Sequence, residues 1–179
     1  IEIPNINGKI YVDEFTIDYS NKLNSIISKL PSNKNIKYLI GVSDLIKIGL
    51  NGFGRIGRLV LRAALEKSDN NIEVVAINDL GSLDQNIHLL KFDSVHGTLP
   101  FSCEIKENKA YINNKEISFY NKKKPEEIPW EEHDIDIVLE CTGIFTDSAE
   151  ASKHLKGSVK KVLISAPSSD ADITVVYGV

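Results

Sequence analysis

From position 46 to the end of the chain, compact apolar runs alternate with segments whose apolar residues recur every three or four positions. The runs at 46–50 and 72–77 read as strands buried on both faces, as in a parallel sheet. Between them, Leu59, Val60, Ala63 and Ala64 mark the inner side of a helix over 55–67. Leu83, Ile87 and Leu90 mark one side of a second helix over 83–91. Asn113-Asn114 separates two strand-like runs and predicts a hairpin over 111–120. A strand over 135–140, a helix over 147–155 and strands over 162–166 and 173–177 complete the pattern. Strands alternating with helices predict an α/β domain built on a doubly wound, mostly parallel sheet. There is no internal repeat and no low-complexity segment.

The first 45 residues differ in character, being rich in Asn, Ile and Lys. Asn7-Gly8 predicts a hairpin turn between strands over 1–6 and 9–12, with Pro4 confining the first of them to an edge. Leu23, Ile26, Ile27 and Leu30 fall on one helix face that stops at Pro31, and 36–42 reads as a strand. This order makes either a small α+β unit or a decoration of the main domain. A segment of about 45 residues is near the lower limit for folding alone. The chain therefore divides into an α+β extension, 1–45, of no recognised family, and a main domain, 46–179. A natural fusion, a joining of two pieces and a grafted extension all fit the first part. The chain contains no Met and begins with Ile, so position 1 is expected to lie inside a longer natural product.

Composition narrows the function. With 42% hydrophobic and 26% charged residues the chain can bury a real core. A net charge of −4 gives no attraction to nucleic acid or to an anionic membrane, and neither partner is expected. No apolar stretch approaches the roughly 18 residues that span a bilayer, and the first residues lack the basic and apolar regions of a signal peptide. Two cysteines, Cys103 and Cys141, with no CxxC and no His cluster nearby, fit neither a disulfide framework nor a metal site. Free thiols suit a reducing cytoplasm. The run Lys122-Lys123-Lys124 is followed by Glu126-Glu127 and reads as a solvated turn.

The chemistry concentrates at Gly52-Phe53-Gly54-Arg55-Ile56-Gly57, placed between a strand and a helix as a dinucleotide-binding GxGxxG requires. Gly52 makes the tight turn, Gly54 lets a pyrophosphate approach the backbone, and Gly57 lets the helix pack on the strand. The pyrophosphate would sit at the helix N-terminus, where free N–H groups and the dipole favour anions, and Arg55 adds positive charge. The pattern alone is common. Here the next strand ends in Asn78-Asp79, with Asp79 22 residues after Gly57, where an acid accepts from ribose hydroxyls and repels a 2′-phosphate. The motif thus points to a Rossmann-type sheet and to NAD rather than NADP.

Further blocks carry the reading to a family. The segment from Ile48 to Arg58, with Asn51 before the glycines, resembles the opening of glyceraldehyde-3-phosphate dehydrogenase. So do Ala76-Ile77-Asn78-Asp79-Leu80, Leu90-Lys91-Phe92-Asp93-Ser94-Val95-His96-Gly97, Ile128-Pro129-Trp130, Glu140-Cys141-Thr142-Gly143-Ile144-Phe145-Thr146 and Lys161-Val162-Leu163-Ile164-Ser165-Ala166-Pro167-Ser168. The blocks keep the family's order and spacing over 46–179. The resemblance implies that Asn51, Gly52, Phe53, Gly54, Arg55 and Ile56 hold the dinucleotide phosphates, and that Asp79, after Asn78, is the ribose-binding acid. It places Lys91 on the adenine side, Thr142, Gly143 and Phe145 at the cofactor crevice, and Ser165 and Ala166 toward the nicotinamide. Erythrose-4-phosphate dehydrogenases share the glycine loop but carry Glu in the ribose-acid block, unlike Asn78-Asp79.

Plainer roles stand beside these. Phe145 could be core, Thr142-Gly143 a strand-end turn, Asp79 a helix cap, and Lys91 a source of backbone contacts only. His96 and His154 are tempting as general bases, but His96 sits in a turn before Gly97 with no nucleophile near it, and Cys141 is not the family's nucleophile. The resemblance implies that the cysteine nucleophile and histidine base follow position 179, with most of the family's homo-oligomer interface. The expectation is an NAD-binding domain with no catalytic residue and no metal of its own, inactive alone. A stand-alone or chimeric binding module without turnover is the alternative.

Overall fold

The computed structural model describes residues 9–13, 45–66, 71–107 and 109–176. Its centre is the strand Ile46–Asn51 (β2), in which Ile48 and Leu50 are fully buried. It leads through the glycine loop into the helix Arg55–Glu66 (α1), which returns to the strand Ile72–Asn78 (β3), parallel to β2. Ser82 caps the next helix, Leu83–Lys91 (α2), in a full capping box with Gln85. Two short strands, Phe92–Asp93 (β4) and Gly97–Thr98 (β5), pair into a separate small ribbon.

A meander follows: Cys103–Lys106 (β6), Lys109–Ile112 (β7) and Lys115–Tyr120 (β8). The β7–β8 turn is the predicted Asn113-Asn114, and both residues take positive φ, 51° and 62°. Asn tolerates this left-handed conformation, and it matches the twist of a two-residue hairpin. β8 then pairs parallel with β3, so the meander continues the main sheet at one edge. Ile137–Glu140 (β9) pairs parallel with the free side of β2. Ser148–Ala151 (α3), Lys161–Ile164 (β10) and Ile173–Val176 (β11) complete the order.

Across the sheet the strands run β11, β1, β10, β9, β2, β3, β8, β7, β6, where β1 is Lys9–Asp13. All neighbours from β11 to β8 are parallel. The expected doubly wound α/β sheet is therefore present. One face carries Ile48, Leu50, Ile77, Leu139 and Leu163 against Val60 and Leu61 of α1 and Ile87 and Leu90 of α2. The other carries Ala76 and Val138 against Ile128, Trp130 and Ile135, with Ala151 of α3 packed beside Val162 and Ile164. Arg62, buried in α1, donates to the carbonyls of Leu90, Lys91 and Gly97, satisfying the end of α2.

Several boundaries differ from the sequence reading. The helix expected over 147–155 is one α turn followed by a 3-10 turn, Ser152–His154, because Leu155 N–H closes on the nearer carbonyl of Ser152. β9 begins at Ile137 and β10 ends at Ile164, short of the runs read as strands. β6 and the β4–β5 ribbon gave too little apolar alternation to be read. β1 comes from the segment read as an extension, and parallel neighbours take both of its edges. The strands expected over 1–6 and 36–42, the helix through Leu23 and Leu30, and the end of the strand over 173–177 lie outside the described residues. Among the described residues no helix is long and apolar enough to cross a membrane, and no group of three His, Cys, Asp or Glu side chains could hold a metal ion.

Trp130 reaches the sheet only because β2 lacks a side chain at Gly49, where a Cβ would lie 2.8 Å from Trp130 Cζ3. A Gly49→Ala substitution is expected to cost about 1–3 kcal/mol by overpacking. Urea denaturation followed by Trp130, the sole tryptophan, reads this directly. An unchanged midpoint would show that the indole moves freely.

Candidate functional site

The chain leaves β2 toward the face covered by α1 and leaves β9 toward the face covered by α3. Where two adjacent parallel strands send their connections to opposite faces, a crevice opens at their C-terminal ends. Here its rim is held level by backbone bonds that continue past the strands. Asp79 N–H donates to Tyr120 O at 3.0 Å, Gly52 N–H to Asn78 O at 2.8 Å, Cys141 N–H to Asn51 O at 2.7 Å and Ser165 N–H to Glu140 O at 2.9 Å.

The glycine loop occupies one side. Gly52 has φ +91°, and a Cβ there would lie 2.7 Å from Thr142 N. A Cβ on Gly57 would fall 2.2 Å from Gly52 O, so the helix could not pack as it does. Gly54 has nothing within 4 Å of where its Cβ would be, and it is exposed. These are the three separate demands the motif makes. The first turn of α1 leaves N–H groups without helical partners, and no acidic residue lies in it. Arg55 is exposed beside it, and Ile56 is half-buried. Phe53 differs from its neighbours. Its ring is buried and meets Phe119 edge-on at 5.7 Å, so only its backbone faces the site.

Asp79 closes the loop from the next strand end. Its Oδ2 accepts from Phe53 N–H at 2.7 Å, and its Oδ1 accepts from Gly81 N–H at 2.8 Å and Asn86 Nδ2 at 3.3 Å. A carboxylate offers about four acceptor positions, so one on Oδ2 is left for a donor arriving from the crevice. Asn51 and Asn78 turn inward. Asn78 Nδ2 donates to Asn51 Oδ1 at 2.8 Å, and Asn78 clamps the backbone N–H and C=O of Lys122.

A cavity of about 280 Å³ fills the crevice. Of the residues singled out in the sequence, its wall contains Asn51, Gly52, Gly54, Asn78, Asp79, Thr142 and Phe145. Phe53, Arg55, Ile56, Gly57, Lys91, Gly143, Ser165 and Ala166 are not in that wall. Gly57 acts through packing. Lys91 lends its carbonyl to Arg62 and Leu99 at the end of α2. Ser165 and Ala166 follow β10, one strand beyond the crevice.

The wall also contains Leu80, Lys122, Lys123, Cys141 and Ile144, which the sequence reading did not select. Lys122-Lys123 looked like a solvated turn because of the acids after it. The available signal was its position directly behind a strand that enters the parallel sheet. Burial pushes the Cys141 thiol up to about 12, so it is neutral at physiological pH and a poor nucleophile. Burial also raises Cys103. His96 ties its own turn through Asp93, which accepts from Val95 N–H, His96 N–H and the His96 ring. The His96 and Val95 amides hold the Asp93 carboxyl down at about 2. His154 is fully buried.

Comparison with known proteins agrees with this geometry. A family model for the NAD binding domain of glyceraldehyde 3-phosphate dehydrogenase matches residues 46–148. Glyceraldehyde-3-phosphate dehydrogenase 1 of Bacillus cereus is 54% identical over 135 residues, covering 75% of this chain and 40% of the relative. The enzyme of Geobacillus stearothermophilus is 51% identical over 134 residues, 75% of this chain and 39% of the relative. That of Xanthobacter flavus is 49% identical, with coverage of 75% and 40%. The chain thus spans about 40% of the length of the curated relatives it matches.

The glycines separate folding from binding. Gly54→Ala should leave stability within about 0.5 kcal/mol, as for an open surface site, while obstructing an anion at the helix N-terminus. Gly57→Ala should destabilise the loop by more than about 1 kcal/mol through overpacking. Thermal melts of the two variants check both, and equal melting points would refute the division of roles.

Proposed function

Because the chain belongs to the glyceraldehyde-3-phosphate dehydrogenase family, whose NAD-binding domain it carries, we propose that NAD lies across the crevice between β2 and β9. The observation that carries this placement is the open approach at Gly54 beside the one free acceptor position of Asp79. In this reading Asn51, Gly52, Gly54 and the backbone of Phe53, Arg55 and Ile56 cradle the pyrophosphate at the α1 N-terminus. Gly57 keeps the helix close enough for them to do so. Asp79, set by Asn78 behind it, takes a ribose hydroxyl on Oδ2. Thr142 and Phe145 form the opposite side of the crevice, with Gly143 making the turn between them at φ 71°. Lys91 lies toward the adenine end, and Ser165 and Ala166 toward the nicotinamide. Leu80 and Ile144, both exposed apolar side chains in the cavity wall, add area for an aromatic ring.

NAD, when bound, would supply a hydride acceptor. The residues of 46–176 orient it and contribute no nucleophile or base. Both cysteines are held as neutral thiols, which supports assigning the chemistry of glyceraldehyde 3-phosphate oxidation to a separate part of the whole protein. The same observation favours the second reading, a binding module without turnover. We assign the NAD-binding domain to 46–179, with 1–45 an addition that lends β1 to its sheet. A cytoplasmic setting fits the free cysteines, and the net charge of −4 fits the absence of a nucleic-acid or membrane partner. Homo-oligomers are expected of the whole protein.

Titration with NAD and with NADP tests the site. Asp79→Asn should weaken NAD binding about tenfold, the worth of one charge-assisted hydrogen bond, and should narrow the preference over NADP. Melting curves recorded in parallel exclude loss of fold. A variant that keeps the wild-type preference would remove Asp79 from the ribose.

A further inference from the structure

Beneath the cavity floor lies a chain of fully buried polar side chains that the NAD reading does not use. Glu140, the last residue of β9, and His154 are completely buried, and Asn51 and Asn78 nearly so. Among the described residues His154 is the only ion-pair partner of Glu140. Four donors converge on this carboxylate. Oε1 accepts from Thr142 N–H at 2.8 Å and from the Thr142 hydroxyl. Oε2 accepts from Asn51 Nδ2 at 2.5 Å and faces His154 Nε2 at 3.0 Å.

The far side of His154 fixes the protons. Trp130 Nε1 is 3.1 Å from His154 Nδ1, and an indole nitrogen can only donate. His154 Nδ1 must therefore be bare, and its single proton sits on Nε2, directed at Glu140. The imidazole is neutral. A protonated Glu140 donating to Nε2 would force the histidine proton onto Nδ1, against the Trp130 N–H. Four donors facing one carboxylate favour its ionised form, and among the described residues no Lys or Arg pairs with it. The 3.4 Å approach of Asn51 Nδ2 to His154 Nε2 is the contact of two donors sharing Oε2. From Asn51 the chain continues through Asn78 to the backbone of Lys122.

We infer that Glu140 is the positioning residue of the NAD site: a buried anion that binds the ends of β2 and β9 together beneath the crevice and fixes Asn51 and Thr142, whose backbone forms the crevice rim. This rests on the proposed placement of NAD. Neither Glu140 nor His154 lies in the cavity wall, so both act through the residues they hold. A buried carboxylate is retained only when its hydrogen bonds are complete. Deleting a single donor or acceptor therefore disturbs every member. Gln at position 140 keeps the shape but presents an NH2 group where donors converge. Gln at position 154 can donate to Glu140 and accept from Trp130, as the neutral imidazole does, whereas Leu can do neither.

The experiment uses the 179-residue protein. A long-range ¹H–¹⁵N spectrum of ¹⁵N-histidine-labelled protein, with the His154 signal assigned by its loss in H154Q, should show Nε2 protonated and Nδ1 bare. Two protonated nitrogens would overturn the assignment. NAD titrations should then show E140Q weakened about tenfold or more, as expected when a charge-assisted bond is lost. H154Q should stay within about threefold of wild type, and H154L should fall with E140Q. Wild-type affinity in E140Q, or equal affinities in H154Q and H154L, would overturn the positioning role. If E140Q does not fold, the His154 pair alone decides it. A wild-type protein that binds no NAD would instead refute the placement of the cofactor, while the tautomer result still tests the charge network.

Discussion

The rest of the structure turns on the junction of β2 and β9, where the fully buried carboxylate of Glu140 sits. Parallel strands joined only by their ladder would leave the ends of β2 and β9 free to splay, because their connections depart to opposite faces. Glu140 ties the two strand ends together by accepting from Asn51 of β2 and from Thr142 just beyond its own strand. An unpaired carboxylate in an apolar setting is costly, so the four donors, the neutral histidine and the indole behind it are mutually required. Trp130 in turn needs Gly49 and the apolar layer of Ile128, Ile135 and Val138. One charge thus reaches both the sheet core and the glycine loop.

The glycine loop shows that residues alike in sequence can answer to different constraints. Gly52 answers to backbone conformation and to Thr142 across the crevice, Gly57 to the carbonyl of Gly52, and Gly54 to empty space. Asp79 joins loop and strand by holding the amides of Phe53 and Gly81. A residue read as a ligand-binding acid is equally a clamp that shapes the loop around the ligand.

Periodicity and local chemistry were legible from the sequence. The strands at β2 and β3 and the helices α1 and α2 follow from apolar spacing. The β7–β8 turn follows from two asparagines that accept positive φ. Glycine spacing and the acid at Asp79 located the crevice. What was not legible depends on contacts between distant segments. Glu140 reads in the sequence as the end of a strand and His154 as a tempting general base, because the bonds joining them to Asn51 and Trp130 cross 89 and 24 positions. Lys122-Lys123 was read from its acidic neighbours, while its place in the wall is fixed by Asn78, 44 positions away. β1 pairs with strands from the other end of the chain, and no local pattern announces that.

Cys141 carries a consequence for the chemical durability of the crevice. Burial holds this thiol at about 12, far above physiological pH, and so opposes formation of the thiolate. Alkylating reagents and peroxide act on the thiolate, so burial slows their attack on a cysteine that borders the cavity. In the proposed NAD site, a sulfur atom in the wall would thus sit beside a redox cofactor in its less reactive, neutral form.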